Sequence, residues 1–390
     1  MASIIAKRMQ TLGTETAFEM LAKAKALEKQ GREIIHLEIG EPDFSTPENI
    51  RDAATRAMNE GYTHYVPAAG IPELREAIAE YISTTRNVDM ASEEVVVTPG
   101  AKPIIFFSIL ACVEPGDEVM YPNPGFPIYE SMINFIGAKP VPMPLREENN
   151  FAIDTEDTVK KISEKTKMII LNFPENPTGG VLTQGNLMAI AETVENRDDL
   201  IIVSDEVYSR DIYEGEHRSI ASLPGMKEKT VLIDGFSKTY AMTGWRLGYG
   251  VMRKELAEKI AQLMINSNSC TCAFSQMAGV EALRGPQDEA KRMVAEFKRR
   301  REVIVSGLNK IEGITCKKPQ ATFYAFPNVK GVGIDSQKLP DFLLNKAGVA
   351  TLSGTSFGEY GNGYMRFSFA NSIPNIEKAL KRIEEALKAI

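Results

Sequence analysis

The feature that most constrains the fold is a series of seven short aliphatic runs between residues 95 and 250. Most of the intervals between these runs are long enough to hold a helix. Unbroken aliphatic strands with helical connections indicate a mostly parallel sheet that is covered on both faces. The pattern therefore predicts an α/β fold with one seven-stranded sheet. The predicted strands are residues 95–98, 118–121, 139–143, 168–172, 200–205, 230–234 and 246–250.

The pattern changes after Gly285-Pro286. A long charged helix over residues 287–310 leads to shorter strands and helices, which predict a second, smaller α+β domain. A chain of 390 residues is also too long for one ordinary hydrophobic core. The predicted strands of this region lie near residues 322–326, 349–352 and 364–369, and the predicted helices over 336–346 and 374–388.

Composition excludes several classes of protein. A net charge of −7 argues against nucleic-acid binding, which requires a basic surface. No apolar stretch approaches the length of a membrane span, and residues 1–8 lack the apolar core of a signal peptide. The four cysteines, at 112, 270, 272 and 316, show neither zinc-site spacing nor a disulfide framework. We expect a reduced cytoplasmic protein without a metal centre.

The segment of residues 230–250, TVLIDGFSKTYAMTGWRLGYG, carries the strongest chemical signal. Lys238 follows directly after a predicted strand, and Arg246 lies eight residues further on. Ligands of α/β sheets bind at the carboxyl ends of the strands. A lysine amine there can bond covalently to a carbonyl group, and an arginine can hold a phosphate or carboxylate with paired donors. Taken alone, Lys238 could equally be an exposed lysine of an ordinary loop.

Two other strand ends of the predicted sheet carry candidate ligand contacts. Residues 99–103, PGAKP, form a glycine turn that opens a helix, where free backbone N–H groups of Gly100, Ala101 and Lys102 could bind phosphate. A simple helix start would show the same pattern. Phe126 lies on a proline-rich turn, where its ring could stack on a flat ligand or join the core.

Polar residues follow the next two strands. Asn176 belongs to an N-P-T-G sequence, which is also a strong turn signal. Asp205 ends a buried strand, and a buried acid needs a partner. Tyr208 lies three residues beyond it. Each of these residues also has an ordinary structural explanation.

Two candidates lie outside the large sheet. Gly40 sits in a turn rich in glycine and proline, and its backbone is open to close approach because it has no Cβ. Arg366 lies in an apolar strand, where an unpaired cation would be costly, so it requires a carboxylate partner. That partner could be a protein side chain or a substrate.

Together these residues resemble the class I pyridoxal-phosphate aminotransferases of the aspartate aminotransferase family. The family's lysine signature appears here as Gly235-Phe236-Ser237-Lys238 followed by Arg246-Leu247-Gly248. The resemblance implies the fold type I architecture, in which both termini build the small domain. We expect residues 1–45 to join the small domain, residues 46–285 to form the large cofactor-binding domain, and residues 286–390 to form the small C-terminal domain.

The resemblance also implies roles. Lys238 would hold pyridoxal 5'-phosphate covalently and serve as general base and acid. Asp205 would keep the ring nitrogen protonated, Asn176 and Tyr208 would bind the phenolic oxygen, and Arg366 would bind the substrate α-carboxylate. Further cofactor contacts are expected from Gly100, Ala101, Lys102, Phe126, Ser237 and Arg246. Further substrate contacts are expected from Gly40, Phe126 and Asn176.

Two further points follow from the resemblance. Many relatives carry a phosphate-binding hydroxyl three residues before the lysine, where this chain has Gly235, so Ser237 is expected to compensate. Tyr65 lies in a segment, residues 61–65, that resembles the part of the family reaching the phosphate of the neighbouring subunit. We therefore expect a homodimer with shared active sites, although Tyr65 could instead pack within its own chain.

The expected function is transfer of an amino group from an L-amino acid, with aspartate favoured, to 2-oxoglutarate by a ping-pong mechanism. Alanine or an aromatic amino acid could be the donor instead. A pyridoxal-phosphate lyase or a non-catalytic sensor is a more distant alternative. A side-chain carboxylate could be bound by the stretch 266–272, which lacks Lys and Arg, or by Lys7, Arg8 or Lys102. A serine hydrolase built on Gly354–Gly358 is disfavoured because no histidine follows that motif.

Overall fold

The computed structural model describes residues 4–389, so residues 1–3 of the opening segment and residue 390 lie outside the described residues. The strands are β1 Ile35–His36, β2 Val95–Thr98, β3 Glu118–Asn123, β4 Lys139–Pro144, β5 Thr166–Asn172, β6 Ile201–Asp205, β7 Thr230–Gly235, β8 Gly248–Val251, β9 Tyr324–Ala325, β10 Val349–Ala350, β11 Leu352–Ser353 and β12 Met365–Ser368. The α-helices are α1 Thr16–Glu28, α2 Glu48–Asn59, α3 Pro72–Arg86, α4 Lys102–Cys112, α5 Ile128–Phe135, α6 Thr155–Lys161, α7 Gln184–Val194, α8 Lys254–Ser267, α9 Ala273–Arg284, α10 Asp288–Leu308, α11 Leu339–Ala347 and α12 Ile373–Lys388.

The predicted seven-stranded sheet is confirmed, with the strand order β2-β8-β7-β6-β5-β3-β4. Only β8 runs antiparallel to its neighbours, β2 and β7, and the other pairs are parallel. The last predicted strand, 246–250, begins two residues later than expected. Arg246 instead adopts a left-handed backbone conformation with φ of 53° at the end of a short 3-10 turn.

Both faces of the sheet are covered, as the aliphatic runs predicted. Along β7, Val231 and Ile233 pack into the core with α4 and α8, whereas Leu232 packs into the core with α3 and α9. All three side chains are fully buried. Because the strands of this region are parallel, the carboxyl ends of β5, β6 and β7 meet at one edge of the sheet.

The remaining strands form two small sheets. β11, β12 and β9 pair antiparallel in that order, and β1 pairs in parallel with β10, with Ile35 opposite Val349. The strand near the N-terminus therefore joins the C-terminal part of the chain. A hydrophobic core that includes Ile35, Phe297 and Ile376 unites β1 with α10 and α12. Among the helices that the structure describes, none is both long and apolar enough to cross a membrane.

Candidate active site

A cavity of about 540 Å³ opens where β5, β6 and β7 end, a size typical of small-molecule sites at about 300–1,000 Å³. It collects residues from distant parts of the chain, including the start of α1, the start of α4 and strand β12. The predicted residues that line it are Gly40, Ala101, Lys102, Phe126, Asn176, Asp205, Tyr208, Ser237, Lys238, Arg246 and Arg366.

Lys238 projects into this cavity from the loop after β7. Its amine donates a hydrogen bond of 2.5 Å to the carbonyl oxygen of Gly40 and lies 5.8 Å from the ring centroid of Tyr208. Burial, and next the nearby charge of Arg366, lower the pKa of Lys238 to about 8. A lysine with such a pKa holds a substantial fraction of neutral amine near physiological pH, which is the nucleophilic form.

Asp205 is the last residue of β6 and is 4% exposed. The hydroxyl of Tyr129 donates to its Oδ2 atom over 2.7 Å. Burial raises the pKa of Asp205 to about 6, even though the hydrogen bond from Tyr129 opposes the shift. Asp205 therefore remains mostly ionised at pH 7 and presents a carboxylate to the cavity. Tyr129 was missed from the sequence, because nothing in its helix distinguishes it from a core aromatic.

Arg366 is a buried cation whose two described hydrogen-bond acceptors are both neutral. Its guanidinium donates to the side-chain oxygen of Asn176 over 3.0 Å and to the backbone oxygen of Glu38 over 2.5 Å. Its Nε atom is buried and makes no hydrogen bond. Within residues 4–389 no carboxylate group forms an ion pair with it, so of the two partners left open by the sequence, a protein side chain does not supply the contact among these residues. A buried arginine in this state is suited to a ligand carboxylate.

The start of α4 and Arg246 form a cradle suited to phosphate. Gly100 has a φ of 84°, and a Cβ built on it would lie 2.2 Å from the Arg246 guanidinium. A Cβ on Gly248 would lie 2.3 Å from the backbone nitrogen of Ala101. Only glycines permit this close packing. It brings the free amides of a helix N-terminus beside an arginine, the arrangement that binds phosphate groups.

The glycine at position 235 also has a steric reason. A Cβ on Gly235 would lie 3.2 Å from the Cα atom of Gly248, tighter than ordinary contact. A hydroxyl-bearing residue at this position would therefore crowd β8. Ser237 lines the cavity two residues further on.

A pair of tyrosines forms another part of the wall. The hydroxyls of Tyr208 and Tyr324 lie 2.7 Å apart. A Cβ on Gly40 would lie 2.1 Å from the Tyr324 hydroxyl, so the close approach expected at Gly40 is made by this tyrosine. Tyr324 was not among the predicted site residues. Its strand was predicted, but its contact with Tyr208 spans 116 positions and leaves no local signal.

Lys102 and Phe126 lie together at the side of the cavity. The Lys102 amine is 5.4 Å from the ring centroid of Phe126, and it forms an ion pair with Glu15 just before α1. Phe126 packs edge-on against Tyr129 with ring centroids 5.7 Å apart. Glu15 was also missed from the sequence, since it reaches the site only through the placement of α1.

Some predicted residues do not line the cavity. Gly100 lies behind Arg246 as described, and Tyr65 is 88% exposed elsewhere on the surface. The stretch 266–272, Lys7 and Arg8 do not contribute to the described lining either. Ser356 does line it, but within a 3-10 turn and without any histidine among the described lining residues.

Comparison with known proteins agrees with this geometry. The family model described as aminotransferase class I and II matches residues 32–383. An aspartate aminotransferase of Pyrococcus horikoshii is 41% identical over 386 residues, covering 98% of this chain and 97% of that protein. An aromatic-amino-acid aminotransferase 2 of Thermococcus litoralis is 40% identical over 360 residues, covering 91% and 92%.

Solved structures agree as well. Thermus thermophilus aspartate aminotransferase with maleate superposes with a TM-score of 0.93 at 35% identity, over 99% of this chain and 100% of that one. The chain belongs to the class I and II aminotransferases, a family of pyridoxal-phosphate-dependent enzymes.

Proposed function

We propose that this protein transfers the amino group of an L-amino acid, with aspartate preferred, to 2-oxoglutarate in two half-reactions. The observation that carries the proposal is the buried guanidinium of Arg366, whose two described hydrogen-bond acceptors are neutral and which lines the same cavity as the Lys238 amine. A substrate carboxylate can pair with Arg366, and this pairing would place the amino group of an α-amino acid in the same cavity as Lys238.

The residues around the cavity fit pyridoxal 5'-phosphate. Arg246 and the amides of Gly100 and Ala101 would hold its phosphate, with Ser237 beside them. Asp205 would pair with its ring nitrogen. The bound cofactor supplies an electron sink for the substrate α-carbon.

The protein contributes the remaining chemistry of the site. Asn176 and Tyr208 would bind the phenolic oxygen of the cofactor, and Phe126 would cover the face of its ring. Arg366 would orient the substrate carboxylate. The amine of Lys238, with its lowered pKa, would take up and return the α-proton as general base and acid.

Preference for a dicarboxylate needs a second cation, because a desolvated carboxylate without a partner is costly. Of the candidates considered from the sequence, Lys102 is the one that lines the cavity. Its present partner, Glu15, is a side chain of the loop before α1. We infer that the side-chain carboxylate of aspartate binds Lys102 in place of Glu15. An aromatic donor remains the second candidate because Phe18, Phe126 and Phe357 also line the cavity.

We also propose a homodimer, in which Tyr65 serves the site of the neighbouring subunit, since its side chain is exposed and does not line the cavity that holds Lys238 in its own chain. The proposed division at residues 45 and 285 accords with the pairing of β1 with β10.

A half-reaction screen tests the function. The holoenzyme is mixed with single amino acids, and the visible absorbance of the bound cofactor is followed. We expect a response to aspartate and glutamate that Lys102→Ala weakens by at least about tenfold, while the response to alanine is unchanged. Glu15→Gln is the matched control, since it frees Lys102 and should preserve the aspartate response. A response confined to one apolar donor would overturn the substrate assignment.

A further inference from the structure

A buried ionic cluster lies behind the candidate site and is centred on Arg86, the last residue of α3. The guanidinium donates through Nε to Glu206 over 2.8 Å, and through another nitrogen to Asp234 over 2.8 Å and to Ser209 over 2.7 Å. Arg86, Glu206 and Asp234 are between 0% and 5% exposed. Arg86 is therefore a buried cation that bridges two buried carboxylates.

The two carboxylates lie at the ends of the two strands, β6 and β7, that lead to the candidate catalytic groups. Glu206 directly follows Asp205, and its backbone N–H donates to Ile233 of β7 over 2.8 Å. Asp234 accepts a 2.7 Å bond from the backbone of Gly235, three residues before Lys238. One guanidinium thus ties the end of β6 to the end of β7. The fork geometry of arginine suits this double contact, which a lysine cannot reproduce.

The cluster also sets the charge around Asp205. Burial alone would lower the pKa of Arg86, but the charges of Glu206 and Asp234 outweigh it and raise that pKa. Burial raises the pKa of Glu206, yet His217 and Arg86 more than offset it and hold the pKa at about 2. Both acids in turn act to raise the pKa of Asp205. Without Arg86, Glu206 and Asp234 would lose the cation that they share, and His217 would still bond Glu206.

The charged and titratable groups facing these acids come from several elements. Tyr129 of α5 contacts Asp205 itself. His217 bonds Glu206 over 2.6 Å, and Arg210 interacts electrostatically with Asp234. The titratable groups that interact with Arg86 or Arg210 include Tyr81, Tyr240 and Tyr249, and the buried carboxyl group of Asp211 interacts with both Arg210 and Asp234. Of the two arginines, Arg86 is the one that hydrogen-bonds both acids.

We propose that Arg86 is a positioning residue for the amino-transfer reaction: it holds the strand ends that carry Asp205 and Lys238 in register, and it balances the buried carboxylates of Glu206 and Asp234 beside them. The inference rests on the proposed function, because it concerns the acid assigned to the cofactor ring. Arg86 acts through Glu206 and Asp234 and does not line the cavity.

The test is the pH dependence of pyridoxal phosphate binding to the apoprotein, measured by absorbance titration. In the wild type, binding weakens as pH falls through the pKa of Asp205, because the ionised carboxylate is what pairs with the ring nitrogen. In Arg86→Met we expect this midpoint to move up by about one pH unit. At a pH below both midpoints, the variant should then bind the cofactor about tenfold more weakly than the wild type. Loss of thermal stability alone would not move the midpoint.

Matched variants separate charge from geometry. Arg86→Lys keeps the charge, so its binding midpoint should match the wild type. Its half-reaction rate should fall by about tenfold to 100-fold, because a lysine cannot hydrogen-bond Glu206 and Asp234 together and the ends of β6 and β7 are then held less firmly. The double variant Arg86→Met/Glu206→Gln removes one charge of each sign and should restore the wild-type midpoint. It also covers the case in which Arg86→Met alone does not fold, since a buried pair removed whole is better tolerated than a broken one.

The outcomes distinguish a positioning role of Arg86 from a purely structural one. An unchanged midpoint in Arg86→Met would overturn the proposal and leave Arg86 as a structural residue. If that variant does not fold, Glu206→Gln alone should lower the midpoint, and no shift would overturn the proposal. Asp205→Asn should abolish the weakening of cofactor binding at low pH, apart from the part that is caused by titration of the cofactor itself. If it leaves the wild-type midpoint, the assignment of Asp205 in the proposed function fails, independently of Arg86.

Discussion

The guanidinium of Arg366 donates a 3.0 Å hydrogen bond to the side-chain oxygen of Asn176, 190 positions earlier in the chain. The bond joins the small sheet that contains β12 to the turn after β5 of the large sheet. The backbone of Asn176 is itself held by the Asn172 side chain at 3.3 Å. A ligand carboxylate at Arg366 would therefore be positioned relative to both sheets. Movement of either would change its distance from Lys238.

Lys238 should be the single residue that bonds covalently to the cofactor. Borohydride reduction of the holoenzyme followed by peptide mapping should place the label on the peptide that contains Lys238. Lys238→Ala should lose the label and the activity, whereas Lys254→Ala, a change in an exposed lysine of α8, should keep both. Label on any other lysine would contradict the assignment.

Asp205→Asn should retain bound cofactor but lose turnover by several orders of magnitude, because a neutral amide cannot hold the ring nitrogen charged. Steady-state kinetics with aspartate would measure the loss. Tyr129→Phe removes only the hydrogen bond to Asp205 and serves as the control, with an expected loss below about tenfold. Near-normal activity of Asp205→Asn would show that the acid has only a structural role.

The lowered pKa of Lys238 predicts the pH dependence of its reactivity. In the apoprotein, modification by an amine-directed reagent should rise as pH increases through about 8, because only the neutral amine reacts. Arg366→Gln removes a positive charge that helps to lower this pKa, so the midpoint should move to higher pH. Mass spectrometry of the Lys238 peptide would measure both profiles. A midpoint unaffected by Arg366→Gln would show that the two cations are not coupled.

Hybrid dimers would test the role of Tyr65. We expect Tyr65→Phe alone to weaken cofactor binding by about 1 kcal/mol, the usual contribution of one hydrogen bond. In a hybrid of one Lys238→Ala subunit and one Tyr65→Phe subunit, a shared arrangement yields one fully intact site. Cofactor titration of the purified hybrid should then show one site of wild-type affinity. A site that stays weak would mean that Tyr65 serves its own chain.

Much of the site could be read from the sequence because its signals are local. Lys238 and Asp205 follow aliphatic runs that form buried strands, and strand ends in α/β sheets are where ligands bind. The glycines at 100 and 248 permit backbone packing that no other residue allows. Such features depend on a few neighbouring residues, so hydrophobic period and turn chemistry indicated them, and the family resemblance supplied their expected roles.

Other features were decided only by tertiary packing. Tyr129 reaches Asp205 across 76 positions, Glu15 reaches Lys102 across 87, and Arg86 reaches Asp234 across 148. Nothing near these residues in sequence marks them, since each would serve equally well as an ordinary core or surface residue. The sequence by itself determined the strands of the large sheet, the order in which candidate site residues follow them, and the family. The packing of the helices across the sheet decided which side chains contact the strand ends. The sequence does not show this locally, because the pairing of buried charges is satisfied between distant segments and not within one segment.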